Sequence, residues 1–553
     1  MMNQSQDATS IKASSRPIVW TIAGSDSGGG AGIQADLLTF NDLECHGCCV
    51  MSATTAQNSL CVNLVEPVSA SMLLAQLDTL WSDLPAKVIK IGLIASQQQL
   101  GLIAQWLRQL QQQSQLPFVV LDPVLVASSG DYLSDSRINF SPLAGLISVI
   151  TPNYHELYHL SANLLPTFVP AKEMYNQQNN MILAAQSLAE HFNCHVVAKG
   201  GDASWQQQRA IDVYVSRQVQ GASTLYDNQV FLLSSARVDT SNHHGSGCTL
   251  SSAIASFVAH DYVVHDAVVL AKAYVTNGLI HSRAVGNGPG VLARTGWPDN
   301  LLLMPQINGV NIKLSHNNVE PTKVPCVAPL GVYPVLDCLS HLTHVLEAGC
   351  KTVQFRAKLI NEDDPIQQQQ LESDICEAIR LGKEFNAQLF INDHWQLAIK
   401  HHAFGVHLGQ EDLTCFDIAA IQQAGLALGI SSHSYFEVLI AHQYSPAYIA
   451  LGHIYPTTTK QMPSAPQGLT KLSRYVSLVA KHYPTVAIGG INLECLADVA
   501  STGVDDVAVV RAISLASDVA EAYRQLHQAW LHLSGSRKYL TVHQLNNDNQ
   551  VAI

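Results

Sequence analysis

Two glycine-rich signatures stand far apart in the chain, Gly245-Ser246-Gly247-Cys248-Thr249 and Gly489-Gly490, and each is suited to holding phosphate. The first follows a polar turn and opens a small-residue helical stretch, Leu250 to Phe257. A glycine turn at a helix start aims free backbone N–H groups at an anion. The second ends a strand, Thr485 to Ile488, and one further strand, Asp506 to Arg511, follows. That is the arrangement of a phosphate site near the end of a (βα)8 barrel. Charged side chains extend this chemistry. Gln354, Arg356 and Lys358 have i, i+2, i+4 spacing and would share one face of a strand. An inward Arg–Lys pair is costly unless an anion meets it, the alternative being a salt bridge to an acid on a neighbouring strand. Asp393 and Asp412 end two successive strand candidates and suit Mg2+, because a hard cation takes carboxylates together with phosphate oxygens. Lys460 closes the loop Pro456-Thr457-Thr458-Thr459-Lys460 and adds a further cation. Cationic arms and a metal imply a diphosphate, while the backbone at Gly490 and Val510 implies a second, singly phosphorylated ligand. One chain carries two phosphate-handling designs and reads as a fusion of two enzymes.

The elements that must position these residues divide near residue 300. Ile18 to Ala23, Val88 to Ile91, Phe118 to Leu121, Leu146 to Ile150 and His195 to Lys199 read as buried parallel strands. Helical patterns such as Ser71 to Leu80 and Met181 to His191 lie between them, giving a layered α/β domain over 17–295 with helices on both faces. Residues 296–328 are proline-rich with little periodicity and read as a linker, with a short ordered piece at Leu301 to Met304. Beyond it, Gly331–Asp337, Thr352–Ala357, Gln388–Asp393, Gly405–Gly409, Ala427–Ser432, Tyr448–Tyr455, Thr485–Gly490 and Asp506–Arg511 are eight strand candidates, the count of a (βα)8 TIM barrel over 329–535. Polar residues gather at the C-terminal ends of these strands, where barrel active sites are built. Residues 1–16 read as a disordered extension and 536–553 as a tail.

Composition bounds the reading. A chain of 553 residues exceeds one core, and about two to four domains are expected. No apolar run reaches about 18 residues, so no membrane span is expected, and no apolar stretch follows the polar start as in a signal peptide. The net charge of −13 argues against nucleic acid as a main partner. The 12 cysteines lack framework spacing, which suggests a reducing cytoplasm. Cys45-His46-Gly47-Cys48 is formally CxxC but has no second pair, and His191 with His195 has no acidic third ligand nearby, so neither reads as zinc. Oligomeric state has no motif, and a homo-oligomer stays open.

The run Gln354-x-Arg356-x-Lys358, then Ile391-Asn392-Asp393, Gly405 to Asp412, Tyr455-Pro456-Thr457-x-Thr459-Lys460 and Ile488-Gly489-Gly490-Ile491 resembles thiamine-phosphate synthase over residues 330–530. The resemblance implies that hydroxymethylpyrimidine diphosphate loses diphosphate to Mg2+ and that the nitrogen of thiazole phosphate attacks the pyrimidine methylene. It places the diphosphate side on Gln354, Arg356, Lys358, Asn392, Ser431 and Lys460, the metal on Asp393 and Asp412, and thiazole phosphate on Thr457, Thr459, Gly490 and the backbone of Val510 and Arg511. Arg511 departs from the small residue usual there. Catalysis would be electrostatic, the cations binding the departing diphosphate more tightly in the transition state.

In the first domain, Ala23-Gly24-Ser25-Asp26-Ser27-Gly28-Gly29-Gly30-Ala31-Gly32-Ile33-Gln34-Ala35-Asp36 lacks Gly-Lys-Ser/Thr and is no P-loop, nor does it fit the Rossmann pattern. With Ala56-Gln57-Asn58, Asn153-x-x-Glu156, Lys199-Gly200-Gly201 and Gly245 to Thr249, it resembles the ribokinase superfamily, and more closely hydroxymethylpyrimidine/phosphomethylpyrimidine kinase, over residues 17–295. The resemblance implies two successive ATP-dependent phosphorylations. Gln57 would pair with the aminopyrimidine edge, Ala31, Leu93 and Val124 would border the ring, and Asp36 joins that pyrimidine group. Asn153 and Glu156 would act on metal and phosphate, Gly245 and Gly247 would form the anion hole, and Thr55 stands where the family often has Val. A helix N-terminus can lower a thiol's pKa, so Cys248 would take the hydroxyl proton or only position it. Lys199 would neutralise charge on the transferring phosphate. The alternatives are a pyridoxal-type kinase, which shares the Gly-x-Gly-Cys turn, and a non-catalytic pyrimidine sensor, which would not need phosphoryl-transfer residues.

Overall fold

The computed structural model describes residues 16–125, 138–162, 164, 174–218, 228–309, 327–358, 361, 363–457 and 465–534. The expected tail, all of the expected N-terminal extension but Arg16, and the site candidates Thr459 and Lys460 lie outside the described residues. The chain forms two compact units, Met1–Gln218 with Ala236–Pro298, and Val219–Ser235 with Asp299–Ile553.

In the first unit, β1 (Ile18–Ser25), β2 (His46–Gln57), β3 (Val62–Pro67), β4 (Val88–Ile91), β5 (Phe118–Leu121), β6 (Val149–Ile150), β7 (His195–Ala198) and β8 (Arg209–Val215) make a mixed sheet. Its order is β8-β7-β6-β5-β4-β1-β2-β3. The strands β1, β2, β4, β5, β6 and β7 run parallel, whereas β3 and β8 turn back on β2 and β7. Val88, Ile89, Ile91, Val119, Val120 and Leu121 are fully buried, as continuous apolar runs in a covered parallel sheet require. Strand β6 is shorter than the expected Leu146–Ile150. Strand β2 gives no apolar run to read, because Gly47, Cys49, Ser52, Thr54 and Thr55 dilute it; its pairing with β1 decides it. Parallel direction brings the C-terminal ends of six strands to one edge, where ligands of such sheets bind.

The second unit contains an antiparallel ribbon and a barrel. Strands β9 (Val230–Ala236) and β10 (Gln306–Gly309) pair with Gln306 opposite Ser234. Strand β10 and the 3-10 turn Leu301–Leu303 thus put regular structure into the segment expected to be a linker, where only a short ordered piece had a sequence signal. The ring of Phe231 meets that of Phe436 edge to face at 4.8 Å. Strands β11 (Val332–Leu336), β12 (Thr352–Phe355), β13 (Gln388–Asn392), β14 (Gly405–Leu408), β15 (Ala427–Ser432), β16 (Tyr448–Leu451), β17 (Thr485–Ile488) and β18 (Asp506–Val509) close into an eight-stranded parallel barrel. All eight expected barrel strands are present. Tyr333, Val335, Phe390, Tyr448, Ala450, Val486 and Ala508 pack together inside it.

Asp506 opens β18 with its side chain fully buried. One carboxylate oxygen accepts the Gly331 N–H at 2.7 Å, and Oδ2 has no partner among the described residues. Burial pushes the carboxyl up to about 7, and the neighbouring Asp505 adds to the rise. The folded state therefore holds a proton that the unfolded state has released, so this group's contribution falls as pH rises from about 4 to 7. Between pH 5 and 8, the melting temperature of Asp506→Asn should fall less than that of the unsubstituted protein. Parallel melting curves against pH would refute the assignment.

Candidate functional site

The rim of the first unit's sheet is built around a carboxylate to which the sequence assigned no role. Asp26 follows β1 and accepts N–H groups from Gly28 at 2.8 Å, Gly30 at 3.0 Å and Ala31 at 2.8 Å, so its side chain folds the glycine loop. His244 Nε2 lies 3.0 Å from its Oδ2, tying that loop to the second glycine segment. Burial would raise this carboxyl, but His244 and the backbone donors outweigh it and hold it below the usual range. Gly245 caps the helix Ser246–Ala259 at φ 76, with no side-chain cap. A Cβ there would fall 2.0 Å from the Gly30 oxygen, so the two loops interlock only through glycine.

Two buried ion pairs lie near the start of that helix. Lys199, at the end of β7, reaches Asp122 Oδ1 at 2.9 Å, and a Cβ on Gly247 would lie 3.0 Å from its Nζ. Burial disfavours the Lys199 charge, but Asp122 and then Glu156 more than compensate and keep the ammonium charged. Asp122 also accepts from Thr151 and Ser251. Glu156 forms a capping box with Asn153, Asn153 N donating to Glu156 Oε2 at 2.7 Å and Glu156 N to Asn153 Oδ1 at 2.8 Å. Burial lifts Glu156 to about 7 against the pull of Lys199. The second pair is Lys90 with Asp36, both side chains fully buried, Asp36 accepting in addition from Thr21 at 2.6 Å and Ser252 at 2.7 Å.

This last set of bonds corrects the expected role of Asp36. Its oxygens are occupied within the core, and it anchors Lys90 rather than facing a pyrimidine. Of the two roles left open for Cys248, base or positioning group, its surroundings favour the second. Burial pushes its thiol up to about 11; Lys90 and the Gly32 backbone oppose this, while Asp36 and Asp122 reinforce it. Desolvation outweighs the lowering by Lys90 and the Gly32 backbone, so the thiol is held up rather than down. The other candidates lie along the parallel-strand edge. Leu93 is buried against Gly24, Val124 and Ala31 are half-buried, and Gln57 ends β2 with its Oε1 3.3 Å from the Thr55 hydroxyl, whose proton has the nearer Ser25 carbonyl at 2.9 Å. Asp122 and Lys90 carry signals in hindsight, an Asp-Pro after the run Phe118 to Leu121 and a Lys inside an apolar strand.

At the barrel mouth, β12 stops at Phe355, so Gln354 faces inward while Arg356 and Lys358 lie past the strand end, half-buried and exposed. The expected inward Arg–Lys pair is therefore a rim pair. Inside, a chain of polar groups crosses the barrel. Gln354 Nε2 donates to Asn392 Oδ1, and Tyr333 donates to Gln354 Oε1 at 3.2 Å. Tyr333 and Tyr448 hydroxyls meet at 2.7 Å, Tyr448 meets His407 Nδ1 at 2.7 Å, and His407 Nε2 meets Ser431 Oγ at 2.8 Å. Tyr333 spends its one proton on Gln354, so Tyr448 must donate to Tyr333 and accept from His407 Nδ1–H. Burial and then Arg356 hold His407 down to about 3, so the ring is neutral and Nε2 accepts from Ser431. His407, Tyr448 and Tyr333 were not expected as site residues; their polarity was visible, their convergence was not.

Asp393, at φ 62, and Asp412 come together beyond β13 and β14. Burial and then Asp393 raise Asp412 to about 6, and Gly409 N donates to it at 2.8 Å. Two apposed carboxylates with hard oxygen donors fit a Mg2+ ion. Gly490, at φ 72, has Tyr455 Cβ and the Pro456 oxygen within 2.7 and 3.0 Å of where its own Cβ would be, so the loop carrying Thr457 closes onto it. Val510 precedes the short helix Arg511–Ser514, and Arg511 is exposed.

A mixed α/β sheet with a charged glycine rim and a closed barrel with cations and paired carboxylates at its mouth are the architecture of two enzymes suited to phosphorylated ligands. The family model for phosphomethylpyrimidine kinase matches residues 26–293, and that for thiamine monophosphate synthase matches residues 332–513. A thiamine-phosphate synthase from Yersinia pestis (strain Pestoides F) is 58% identical over 204 residues, 37% of this chain and 90% of the relative. Among solved structures, a phosphomethylpyrimidine kinase from Clostridium difficile is 30% identical, covering 47% of this chain and 98% of that one with a TM-score of 0.37. A pyridoxal kinase from Staphylococcus aureus is 24% identical over 54% of this chain and 100% of that one, TM-score 0.44. The chain belongs to the thiamine-phosphate synthase family through its barrel and joins to it a phosphomethylpyrimidine kinase domain, making a bifunctional enzyme of thiamine biosynthesis. The pyridoxal-kinase and sensor alternatives are not favoured by these matches.

Two outcomes follow from the geometry. Alkylation of Cys248 should lag well behind that of a free cysteine at pH 8, read by mass spectrometry of its peptide; equal rates would show a thiolate. Tyr448→Phe leaves His407 Nδ1–H and Tyr333 without a shared partner, and should lower the unfolding free energy by roughly 1–3 kcal/mol in urea. An unchanged midpoint would mean the chain of bonds is dispensable.

Proposed function

We propose that the first unit phosphorylates hydroxymethylpyrimidine and then its phosphate with ATP, and that the barrel condenses the resulting diphosphate with thiazole phosphate to thiamine phosphate, releasing diphosphate. The observation that carries this reading is the convergence of Lys199, Asp122 and Glu156 on the open helix start at Gly245 to Cys248, in a chain whose barrel gathers Arg356, Asn392, Asp393 and Asp412 at one mouth.

In the kinase, the N–H groups at Gly245 and Gly247 receive the transferring phosphoryl group, and the charged Lys199 stabilises it. Cys248, a neutral thiol, positions the acceptor hydroxyl and is not its base. Gln57 reads the aminopyrimidine edge, while Ala31, Leu93 and Val124 border the ring. Asn153 and Glu156 hold the nucleotide's metal and phosphate side.

In the synthase, Asp393 and Asp412 would hold Mg2+, which when bound neutralises charge on the diphosphate. Arg356, Lys358 and Lys460 bind the same diphosphate, and with Gln354 bonded to its Oδ1, Asn392 offers its amide N–H groups to it. Donors set in place before bond cleavage favour the departing charge over the intact substrate. Ser431, whose proton goes to His407, presents lone pairs to the pyrimidine side. Thr457, Thr459, Gly490 and the backbone of Val510 and Arg511 receive thiazole phosphate. The reaction belongs in the cytoplasm, where ATP is supplied.

The test is incubation with hydroxymethylpyrimidine, thiazole phosphate and MgATP, with thiamine phosphate detected; no product from well-folded protein would overturn the reading. By loosening the acceptor hydroxyl, Cys248→Ala should cut the kinase rate by up to about 10²-fold and leave synthesis from supplied diphosphate intact. Asp393→Asn or Asp412→Asn should raise the Mg2+ concentration needed by the synthase without touching the kinase. Unchanged Mg2+ titrations would return both acids to a structural role.

A further inference from the structure

A second set of metal-ligating side chains stands at the start of the barrel, apart from the two aspartates. Strand β11 ends at Leu336, and the chain turns through Asp337 and Cys338 into the helix Leu339–Glu347. Cys338 is the N-cap residue, extended at φ −136 and ψ 147, yet its side chain makes no cap hydrogen bond. His341 is the third residue of that helix, and side chains at the N-cap and third positions lie side by side, which is why capping boxes use them. Here the two positions hold a thiol and an imidazole in place of capping groups. One oxygen of Asp337, the Cys338 sulfur and a ring nitrogen of His341 all lie within 4.8 Å of one another. His341 Nδ1 is buried and has no hydrogen-bond partner among the described residues. An exposed carboxylate, a half-buried thiol without a capping bond and a half-buried imidazole with one unpartnered nitrogen thus stand together.

The donor types decide which ion fits. Around a tetrahedral ion with bonds of about 2.0–2.3 Å, ligand atoms stand about 3.3–3.8 Å apart, so side-chain rotation alone would close this cluster. Sulfur and nitrogen donors select a borderline-soft cation, and Mg2+ and Ca2+ prefer oxygen. We propose that Asp337, Cys338 and His341 form a three-ligand site for Zn2+ or a cation of like softness, its fourth position open to water or an anion. The chain then sorts metals by chemistry, Mg2+ on the paired carboxylates beyond β13 and β14 and Zn2+ on the mixed ligands beyond β11. Strand β11 pairs with β12 and β18, so the site occupies the arc of the rim between Arg356 and Val510.

Co2+ is the probe, added to the full chain after chelation and in the presence of Mg2+. A near-ultraviolet band from thiolate-to-cobalt charge transfer should appear with the visible bands of tetrahedral cobalt, and Zn2+ should abolish both at one equivalent. Cys338→Ser should remove the charge-transfer band, and His341→Gln and Asp337→Asn should weaken Co2+ binding at least about tenfold. Cys376→Ser, Cys415→Ser and Asp393→Asn should leave the band in place. Circular dichroism of each variant separates loss of ligand from loss of fold. The proposal fails if no charge-transfer band forms, or if the band survives Cys338→Ser.

Discussion

Charge is held inside the first unit because each carboxylate of its buried ion pairs accepts further hydrogen bonds besides the lysine's, and the site there depends on that. An isolated ammonium or carboxylate in a protein interior is strongly disfavoured, whereas a paired and hydrogen-bonded one is tolerated. Lys90 survives full burial in β4 because Asp36 meets it, and Asp36 survives because Thr21 and Ser252 also donate to it. The pair Lys199–Asp122 is held likewise by Thr151 and Ser251. Both pairs lie near the Cys248 helix start, and Lys199 presents a cation there with little solvent to screen it. The same environment that strengthens the field on a phosphate keeps Cys248 protonated.

In the barrel the interior is polar but almost neutral. The route from Ser431 through His407, Tyr448, Tyr333 and Gln354 to Asn392 uses one donor and one acceptor at each step. Its direction follows from the protons available, since a tyrosine has one and a neutral imidazole has one. A carbonyl, amide or hydroxyl presented at the mouth thus has a defined role before any ligand arrives. Such preorganisation is what electrostatic catalysis requires. Formal charge is confined to the rim, where Arg356, Asp393 and Asp412 can meet an anion and its metal.

Much of this was legible in the residues. The eight barrel strands announced themselves as short apolar runs, and the motifs at their ends placed Asn392, Asp393, Asp412 and Gly490 at one mouth. Five strands of the first sheet were read as well, with β6 taken three residues too long. Strand β2 was not, because its Gly, Cys, Ser and Thr residues carry weak pattern and it is stabilised by pairing on both sides. Asp26 and Asp122 were also hidden: an aspartate in a loop or after a strand is common, and only contacts with residues distant in sequence give these two their work.

The amino-acid order by itself determined the two architectures, since strand periodicity, glycine placement and apolar runs are local properties that few folds satisfy together. It also determined which motifs could hold phosphate, because backbone approach needs glycine and anions need nearby donors. Protonation states and partners were decided only by the tertiary structure. Asp36 became an anchor for Lys90, Cys248 a neutral thiol, His407 a neutral ring, and Arg356 and Lys358 rim cations past a strand that stops at Phe355. Desolvation and hydrogen-bond partners set those outcomes, and both depend on which distant segments pack against a residue.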